Sequence, residues 1–254
     1  MLIDPQNSAD ARRLGENLAR VRARIRAAAL ESGRSVDQIT LVGASKGQAA
    51  SVIATAVAAG LHDFGESYVQ DALPKMAALG RDPASGPSIT WHFIGAVQAN
   101  KTRAVAENFA WVHTIDRLRI AARLSEQRPY HAPALNVCVQ VRIGGEASKA
   151  GAEPAAVRQL LRDIATLPRL KLRGLMCLPP PEQDPERQRH WLHQLRQLFE
   201  SVNADGAGLD TLSMGMSGDL EAAIREGATA VRIGTDLFGP RVAPPSPSHI
   251  QSPR

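Results

Sequence analysis

The segment LSMGMSGDLEAAIREGATAVRIGTDLFGPR, Leu212–Arg241, indicates the fold class of this chain. An apolar run at its start predicts a strand over Thr211–Gly215, and a helical pattern follows over Asp219–Glu226. A second apolar run predicts another strand over Ala230–Gly234. Strand, helix and strand in this order form the repeating unit of parallel α/β sheets.

The same alternation extends upstream through the 254 residues. Further strands are predicted at Ile39–Ser45, His62–Glu66, Thr90–Gly95, Trp111–Ile115, Asn136–Ile143 and Lys171–Leu178. Helices are predicted at Ala49–Ala59, Tyr68–Leu79, Gln98–Asn108, Arg117–Gln127, Pro154–Thr166 and Pro185–Val202, with a long amphipathic helix from Ala9 to Ser32 before the first strand. Eight such units in about 250 residues predict one α/β domain, a single (β/α)8 TIM barrel with an extra N-terminal helix.

Two features set the limits of this predicted domain. An open doubly wound sheet would place a G-x-G-x-x-G turn after the first strand, whereas this chain has ASKGQ at Ala44–Gln48. The barrel is therefore favoured over the dinucleotide-binding fold. It is expected to span residues 1–241, and the Pro/Ser-rich residues 242–254 are expected to form a disordered tail.

Candidate site residues fall after the predicted strands, where barrels collect their chemistry. Lys46 follows the first strand. Small and hydroxyl-bearing residues follow the seventh and eighth strands, where barrels commonly bind phosphate: Ser213, Ser217, Gly234 and Thr235. A lysine facing a phosphate-binding pair of loops is the arrangement expected for pyridoxal 5′-phosphate (PLP). Taken singly, each serine or glycine could equally be an ordinary turn residue.

Lysine is scarce in this chain, which draws attention to Lys46. Only five of the 30 lysines and arginines are lysines, and arginine cannot form a Schiff base with an aldehyde. A lysine after a strand is more commonly a solvated loop charge, so the phosphate-like loops carry part of the argument. Arg232 on the eighth strand could reach the pyridine nitrogen of PLP, or could pair with a neighbouring carboxylate.

Several long motifs resemble a known family. They are LVGASK from Leu41, DFGESYVQDALPK from Asp63, WHFIGAVQANKTR from Trp91, QVRIGGEASKAG from Gln140 and the final Leu212–Arg241 block. On these motifs the chain is similar to the YggS/PROSC family of PLP-homeostasis proteins. Their barrel resembles the N-terminal domain of alanine racemase.

The resemblance implies a set of roles for individual residues. It implies that Lys46 holds PLP as a Schiff base and that Arg232 faces the pyridine nitrogen. It also implies phosphate contacts from Ser213, Gly234 and Thr235. Met214 and Met216 are expected to line the pocket, although methionines there could equally fill gaps in the core.

Two positions need separate treatment within this resemblance. The family usually has FGEN where this chain has FGES, so Ser67 replaces an asparagine near the cofactor. Because serine is shorter, that contact is expected to be lost or bridged by water. Lys149 matches the family motif, and a secondary PLP-accepting role is one hypothesis for it.

The resemblance implies a non-catalytic protein of vitamin B6 homeostasis, with PLP as ligand and apo PLP-dependent enzymes as possible recipients. A racemase-like enzyme is the alternative. Racemisation needs an acid or base on each face of the substrate, and similar racemases take a tyrosine from an additional β domain. Neither Tyr68 nor Tyr130 is predicted to oppose Lys46, and no second domain is apparent, so turnover is not expected.

Composition bears on location and partners. The calculated pI of 9.7 raises a nucleic-acid-binding alternative, but the basic residues are dispersed through helices and aromatic residues are few. We therefore expect no nucleic-acid partner. Without an apolar run of about 20 residues or a secretory signal, a cytoplasmic monomer or weak homodimer away from membranes is expected. Cys138 and Cys177 are expected to be reduced core thiols, rather than a disulfide or metal site.

Overall fold

The computed structural model describes residues 5–80, 88–144 and 150–240. The expected tail at residues 242–254 and Lys149 lie outside the described residues, so those two expectations stay predictions. The domain limits proposed from the sequence also stay predictions.

Eight parallel strands close into a barrel in chain order, which confirms the predicted fold class. The strands are Thr40–Ala44 (β1), Asp63–Glu66 (β2), Thr90–Phe93 (β3), Trp111–Ile115 (β4), Leu135–Gln140 (β5), Leu170–Met176 (β6), Thr211–Ser213 (β7) and Ala230–Ile233 (β8). The closing pair is β1 with β8, where Val42 lies opposite Arg232.

Helices cover the outside of the barrel. In chain order they are Pro5–Glu31 (α1), Ala50–Ala58 (α2), Val69–Leu79 (α3), Thr102–Asn108 (α4), Leu118–Gln127 (α5), Pro154–Ala165 (α6), Pro185–Ala204 (α7), Leu220–Arg225 (α8) and Thr235–Phe238 (α9). Apolar side chains from helices and strands form a continuous core between the two layers. Among the described helices, none combines the length and apolar character of a membrane span.

The extra N-terminal helix α1 packs against the last two helices of the barrel, α8 and α9. Its buried side chains recur at helical spacing, at Leu14, Leu18, Val21, Ile25 and Ala28. They pack in the same apolar core as the barrel helices, and α1 lies against α8 and α9. This spacing places one apolar stripe on the core and leaves basic residues on the other faces. The helix therefore ties the N-terminal region to the last strand–helix unit.

Most differences from the predicted elements lie at their ends. The fifth strand ends at Gln140 rather than Ile143, and the next residue, Val141, makes an isolated bridge with Ala152. The helix predicted from Gln98 begins with one 3-10 turn and becomes α-helical at Thr102. The short helix α9 directly after β8 was not predicted. Apolar runs in fully buried strands carry no sharp signal for where the ladder ends.

Candidate functional site

Hydrogen bonds to the neighbouring strand β2 hold the residue that precedes Lys46. Ser45 donates from its backbone N to Gly65 O at 3.0 Å and from its hydroxyl to Glu66 Oε1 at 2.6 Å. Gly47 follows with φ of +78°, a conformation that favours glycine. The chain therefore turns sharply at the half-buried Lys46, which lies between the hydrogen-bonded Ser45 and Gly47.

A buried ion pair supports the same loop. Lys75 on α3 donates to Glu66 Oε1 at 2.7 Å and to the carbonyl oxygen of Ser45 at 3.0 Å. The Glu66 side chain is fully buried, and its other oxygen, Oε2, has no hydrogen-bond partner among the described residues. Lys75 thus compensates the buried charge of Glu66, the carboxylate that accepts a hydrogen bond from Ser45.

The loop after β8 adjoins the loop of Lys46, because β8 and β1 are neighbours. A Cβ placed on Gly234 would lie 3.4 Å from the carbonyl oxygen of Ala44. Thr235 begins the short helix α9 and is exposed. The distance from that Cβ to Ala44 is an ordinary van der Waals distance, so the segment after β8 packs directly against the end of β1. Lys46 and the Gly234–Thr235 segment lie at the same end of adjacent strands.

Arg24 of α1 joins the loops after β7 and β8 to each other. It donates to the carbonyl oxygen of Ser217 at 3.0 Å, bonds both oxygens of Glu221, and pairs with Asp236 on α9. Its hydrogen bonds lower the pKa of the Glu221 carboxyl. The Ser217 hydroxyl also accepts from the backbone N of Asp236 at 3.4 Å. One guanidinium therefore fixes the relative positions of both candidate phosphate loops.

Arg232 is buried inside the barrel, and the acceptors of its hydrogen bonds are neutral groups. It donates to the Ser213 hydroxyl at 2.7 Å and to the carbonyl oxygen of Cys177 at 3.0 Å. Burial lowers the pKa of its guanidinium. Within the described part of the chain, no carboxylate lies within ion-pair distance of Arg232. The alternative that Arg232 serves a neighbouring ion pair is therefore not supported.

Ser213 and Met214 are both buried, and their predicted contacts with PLP stay predictions. Ser213 is fully buried, and its hydroxyl lies between Arg232 and His113. Met214 is also fully buried and packs in the apolar core, as the gap-filling alternative expects. Met216 is 37% exposed in that loop. Ser217 is the hydroxyl-bearing residue of the loop itself.

Histidines continue the polar contacts from Ser213 toward the opposite end of the barrel. His113 Nδ1 lies 2.7 Å from Ser213 Oγ, and His113 Nε2 lies 2.9 Å from His92 Nδ1. His92 Nε2 lies 2.9 Å from Asp63 Oδ1. Because β4 and β7 are not neighbours, the bond from His113 to Ser213 crosses the barrel interior. Burial, with smaller contributions from His92 and Arg232, lowers the pKa of His113 well below its usual value.

Ser67, the departure from the family motif, lies at the end of β2 beside the Lys46 loop. It is half-buried, and a Cβ on Gly95 would lie 2.1 Å from its carbonyl oxygen. Only a glycine at position 95 allows this backbone approach. Tyr68 follows at the same end of the barrel and is 63% exposed, whereas Tyr130 lies before β5, at the other end.

Comparison with known proteins identifies the family. The model of the alanine racemase N-terminal domain matches residues 10–242. A pyridoxal phosphate homeostasis protein of Pseudomonas aeruginosa is 53% identical over 228 residues, covering 90% of this chain and 96% of that protein. The chain belongs to the pyridoxal phosphate homeostasis protein family. An Escherichia coli homeostasis protein is 49% identical, covering 90% of this chain and 97% of its own length.

Solved structures of similar proteins agree with this assignment. The structure of PipY from Synechococcus elongatus with PLP bound has a TM-score of 0.76 and 33% sequence identity, covering 89% of this chain and all of PipY. Alanine racemase of Clostridium difficile has a TM-score of 0.68 at 15% identity. That match covers 92% of this chain and 57% of the racemase, and it shows a shared fold alone.

Sequence reasoning missed the second layer of the site: Arg24, Lys75, His92, His113 and Asp63. Each acts through contacts between distant parts of the chain; Arg24 and Ser217, for example, are 193 residues apart. The two histidines gave a weak signal, since each lies within an apolar strand. Periodicity could mark them as unusual, but could not pair them with each other.

Proposed function

We propose that this chain binds PLP and holds it as a Schiff base on Lys46, as a non-catalytic protein of vitamin B6 homeostasis in the cytoplasm. The observation that carries the proposal is the position of Lys46. Its strand, β1, lies between β8, which leads into Gly234 and Thr235, and β2, which leads into Ser67. The amine of Lys46 and a candidate phosphate loop therefore share one end of the barrel.

The donor groups at this end fit the chemistry of PLP. When bound, the cofactor supplies an aldehyde that condenses with an amine and releases water. Lys46 would provide that amine. It is half-buried, and the preceding residue, Ser45, is held by its hydrogen bond to Glu66, which restricts the motion of the turn. Arg232 would face the pyridine nitrogen, consistent with a buried guanidinium that has no carboxylate partner among the described residues. An arginine there can act only as a donor.

The phosphate is best assigned to the loops that Arg24 joins. Ser217, Gly234 and Thr235 would hold it with hydroxyl and backbone N–H groups. The position of Gly234 supports this assignment, because β8 is the neighbour of β1 and Gly234 packs against Ala44 at the end of β1. We assign Ser213 to the pyridine end of PLP instead of the phosphate, because its hydroxyl accepts a hydrogen bond from Arg232.

Binding without turnover is supported by the groups around Lys46 and by the names of the relatives. A permanently protonated arginine leaves the pyridine nitrogen unprotonated and weakens the electron sink that many PLP enzymes use. The similar proteins of Pseudomonas and Escherichia are named as homeostasis proteins. PLP held in this way would be passed to apo PLP-dependent enzymes, by a monomer or weak homodimer.

The test is borohydride reduction of the PLP-loaded protein, followed by peptide mapping. The pyridoxyl group should appear on Lys46, and Lys46→Ala should lose the visible absorbance of the bound cofactor. Lys171→Arg, which changes an exposed lysine, should retain both signals. Modification chiefly at another lysine, Lys149 included, would move the site away from Lys46.

A racemase-like enzyme is the second candidate, favoured by the shared barrel and by Tyr68 at the same end as Lys46. The PLP-loaded protein should be incubated with L- and D-alanine in deuterated water. We expect α-deuterium incorporation at the level of free PLP, because a positioned acid–base partner typically contributes about 10²–10⁴-fold. Turnover at about 1 s⁻¹ or faster that disappears in both Lys46→Ala and Tyr68→Phe would establish the enzyme instead.

A further inference from the structure

A chain of side-chain hydrogen bonds runs through the barrel from Arg232 to the opposite end. Its members are Ser213, His113, His92 and Asp63, and each successive pair of polar atoms is 2.7–2.9 Å apart. Arg232, Ser213, His113 and His92 are buried, and Asp63 has a side-chain exposure of 31%. We refer to Ser213, His113, His92 and Asp63 as the relay.

The far end of the relay borders a cavity of about 500 Å³. Asp63, His92 and His113 line it, together with Trp111, Arg173 and Asp210. Asp63 and Trp111 begin their strands, so this cavity lies at the N-terminal end of the barrel, opposite Lys46. The stacked ring of Trp111 covers His92, and Arg173 lies over Trp111. The relay thus spans the barrel between two chemically distinct ends.

The hydrogen-bond directions follow from the chemistry of the two ends. Arginine can only donate and an ionised carboxylate can only accept. With neutral imidazoles, His92 must donate from Nε2 to Asp63 and accept at Nδ1 from His113 Nε2. His113 then accepts at Nδ1 from the Ser213 hydroxyl, whose oxygen accepts from Arg232. Every bond points from the cation to the carboxylate, and each histidine has one defined tautomer.

We propose that the relay is a positioning device, in which Asp63 fixes the orientation of the Arg232 guanidinium through His92, His113 and Ser213. This rests on the proposed function, because the group that Arg232 would face is the pyridine nitrogen of PLP. A serine hydroxyl beside an arginine could otherwise rotate freely. The relay commits its hydrogen to His113 and leaves its oxygen to accept from Arg232.

The first test uses the cofactor-free protein and does not depend on PLP. Long-range ¹H–¹⁵N spectra of the imidazoles should show His92 and His113 neutral, each protonated at Nε2. A ring protonated at Nδ1, or a charged ring at neutral pH, contradicts the relay. In Asp63→Ala the His92 signals should change, because its acceptor is removed.

The second test measures how fast PLP leaves the protein. Asp63→Asn keeps an acceptor oxygen for His92 but removes the charge, and His113→Phe interrupts the relay in its middle. PLP release should accelerate by about five- to tenfold in His113→Phe and by a smaller factor in Asp63→Asn. Asp210→Asn removes a charge from the same cavity outside the relay, since Asp210 pairs with Arg173, and should release PLP at the normal rate.

The outcomes separate the relay from the proposed function. Absence of a pyridoxyl group on Lys46 in the wild-type protein would refute the proposed function. A normal Lys46 adduct in every variant, with unchanged release in His113→Phe, would refute the relay. Equal acceleration in Asp63→Asn and Asp210→Asn would also refute it, because the effect would then be one of general charge. Circular dichroism should show that each variant keeps the native fold.

Discussion

Lys75 lies 2.7 Å from the fully buried carboxylate of Glu66 and also donates to the carbonyl oxygen of Ser45. One ammonium group therefore compensates a buried charge and anchors the residue before Lys46. The structural support for the candidate site thus comes from a helix outside the barrel, as well as from the strands themselves.

Lys75→Met should destabilise the protein strongly. The substitution leaves Glu66 buried without its compensating charge, and breaking a buried pair in this way typically costs about 3–5 kcal/mol. Urea unfolding should show this loss, whereas Lys171→Met, at an exposed position, should change stability by about 0.5 kcal/mol or less. Combining Lys75→Met with Glu66→Gln should recover part of the loss. A double variant less stable than Lys75→Met would contradict the pairing.

Arg24→Met should weaken the binding of PLP more than that of pyridoxal. Arg24 holds the loops after β7 and β8 together, and these loops are proposed to bind the phosphate that pyridoxal lacks. Loss of about 1.4 kcal/mol from this arrangement corresponds to roughly tenfold weaker PLP binding. Equilibrium titrations followed by absorbance would measure both ligands.

Arg20→Met provides the matched control for Arg24. It removes the same charge from an exposed position one turn away on α1, where the guanidinium contacts Asn17. This variant should bind PLP normally. Equal weakening of PLP and pyridoxal in Arg24→Met would indicate a general effect on folding rather than on the phosphate loops.

The two cysteines should resist thiol reagents in the folded protein. Both are buried, and burial raises the pKa of Cys138 and of Cys177 to about 12. Since the thiolate is the reactive form, both should label slowly at pH 8 and completely in urea. Ala19→Cys, at an exposed position on α1, should label at once. Rapid labelling of the native wild-type protein would contradict this burial.

The sequence predicted the barrel well because its evidence is local. Apolar runs, turns and helical periodicity place each strand near its observed limits, and Trp111–Ile115 agrees at both ends. The position of Lys46 after β1 follows directly from that order. Strand number and order are sufficient to bring Lys46 beside Gly234, because a closed barrel makes β1 and β8 neighbours.

The sequence could not distinguish the interior of the barrel from its mouth. Ser213 and Met214 are consecutive residues at the end of an apolar run, and their opposite directions depend on which face of the strand meets the helices. The contact from His113 to Ser213 depends on how the closed barrel brings non-neighbouring strands together. Arg24 needed the docking of α1, a contact between the two ends of the chain. These are tertiary relationships with no local pattern.

The last prediction concerns the pH dependence of stability. Burial lowers the pKa of His113 well below its usual value, whereas in the unfolded chain it should be about 6.5. Between these two pKa values the unfolded chain binds a proton that the folded protein does not. The contribution of His113 is therefore complete above pH of about 6.5 and decreases as the pH falls, by up to about 1.4 kcal/mol per pH unit.

Urea unfolding between pH 7 and pH 5 would measure this slope. His113→Gln should be less stable than wild type at pH 7 but should lose less stability as the pH falls, because the group that cannot accept a proton in the folded state has been removed. His190→Gln, at an exposed histidine on α7, should keep the wild-type slope. Identical slopes in wild type and His113→Gln would show that His113 takes up a proton in the folded protein as readily as in the unfolded chain. A hydrogen bond donated by the Ser213 hydroxyl to His113 Nδ1 does not allow this.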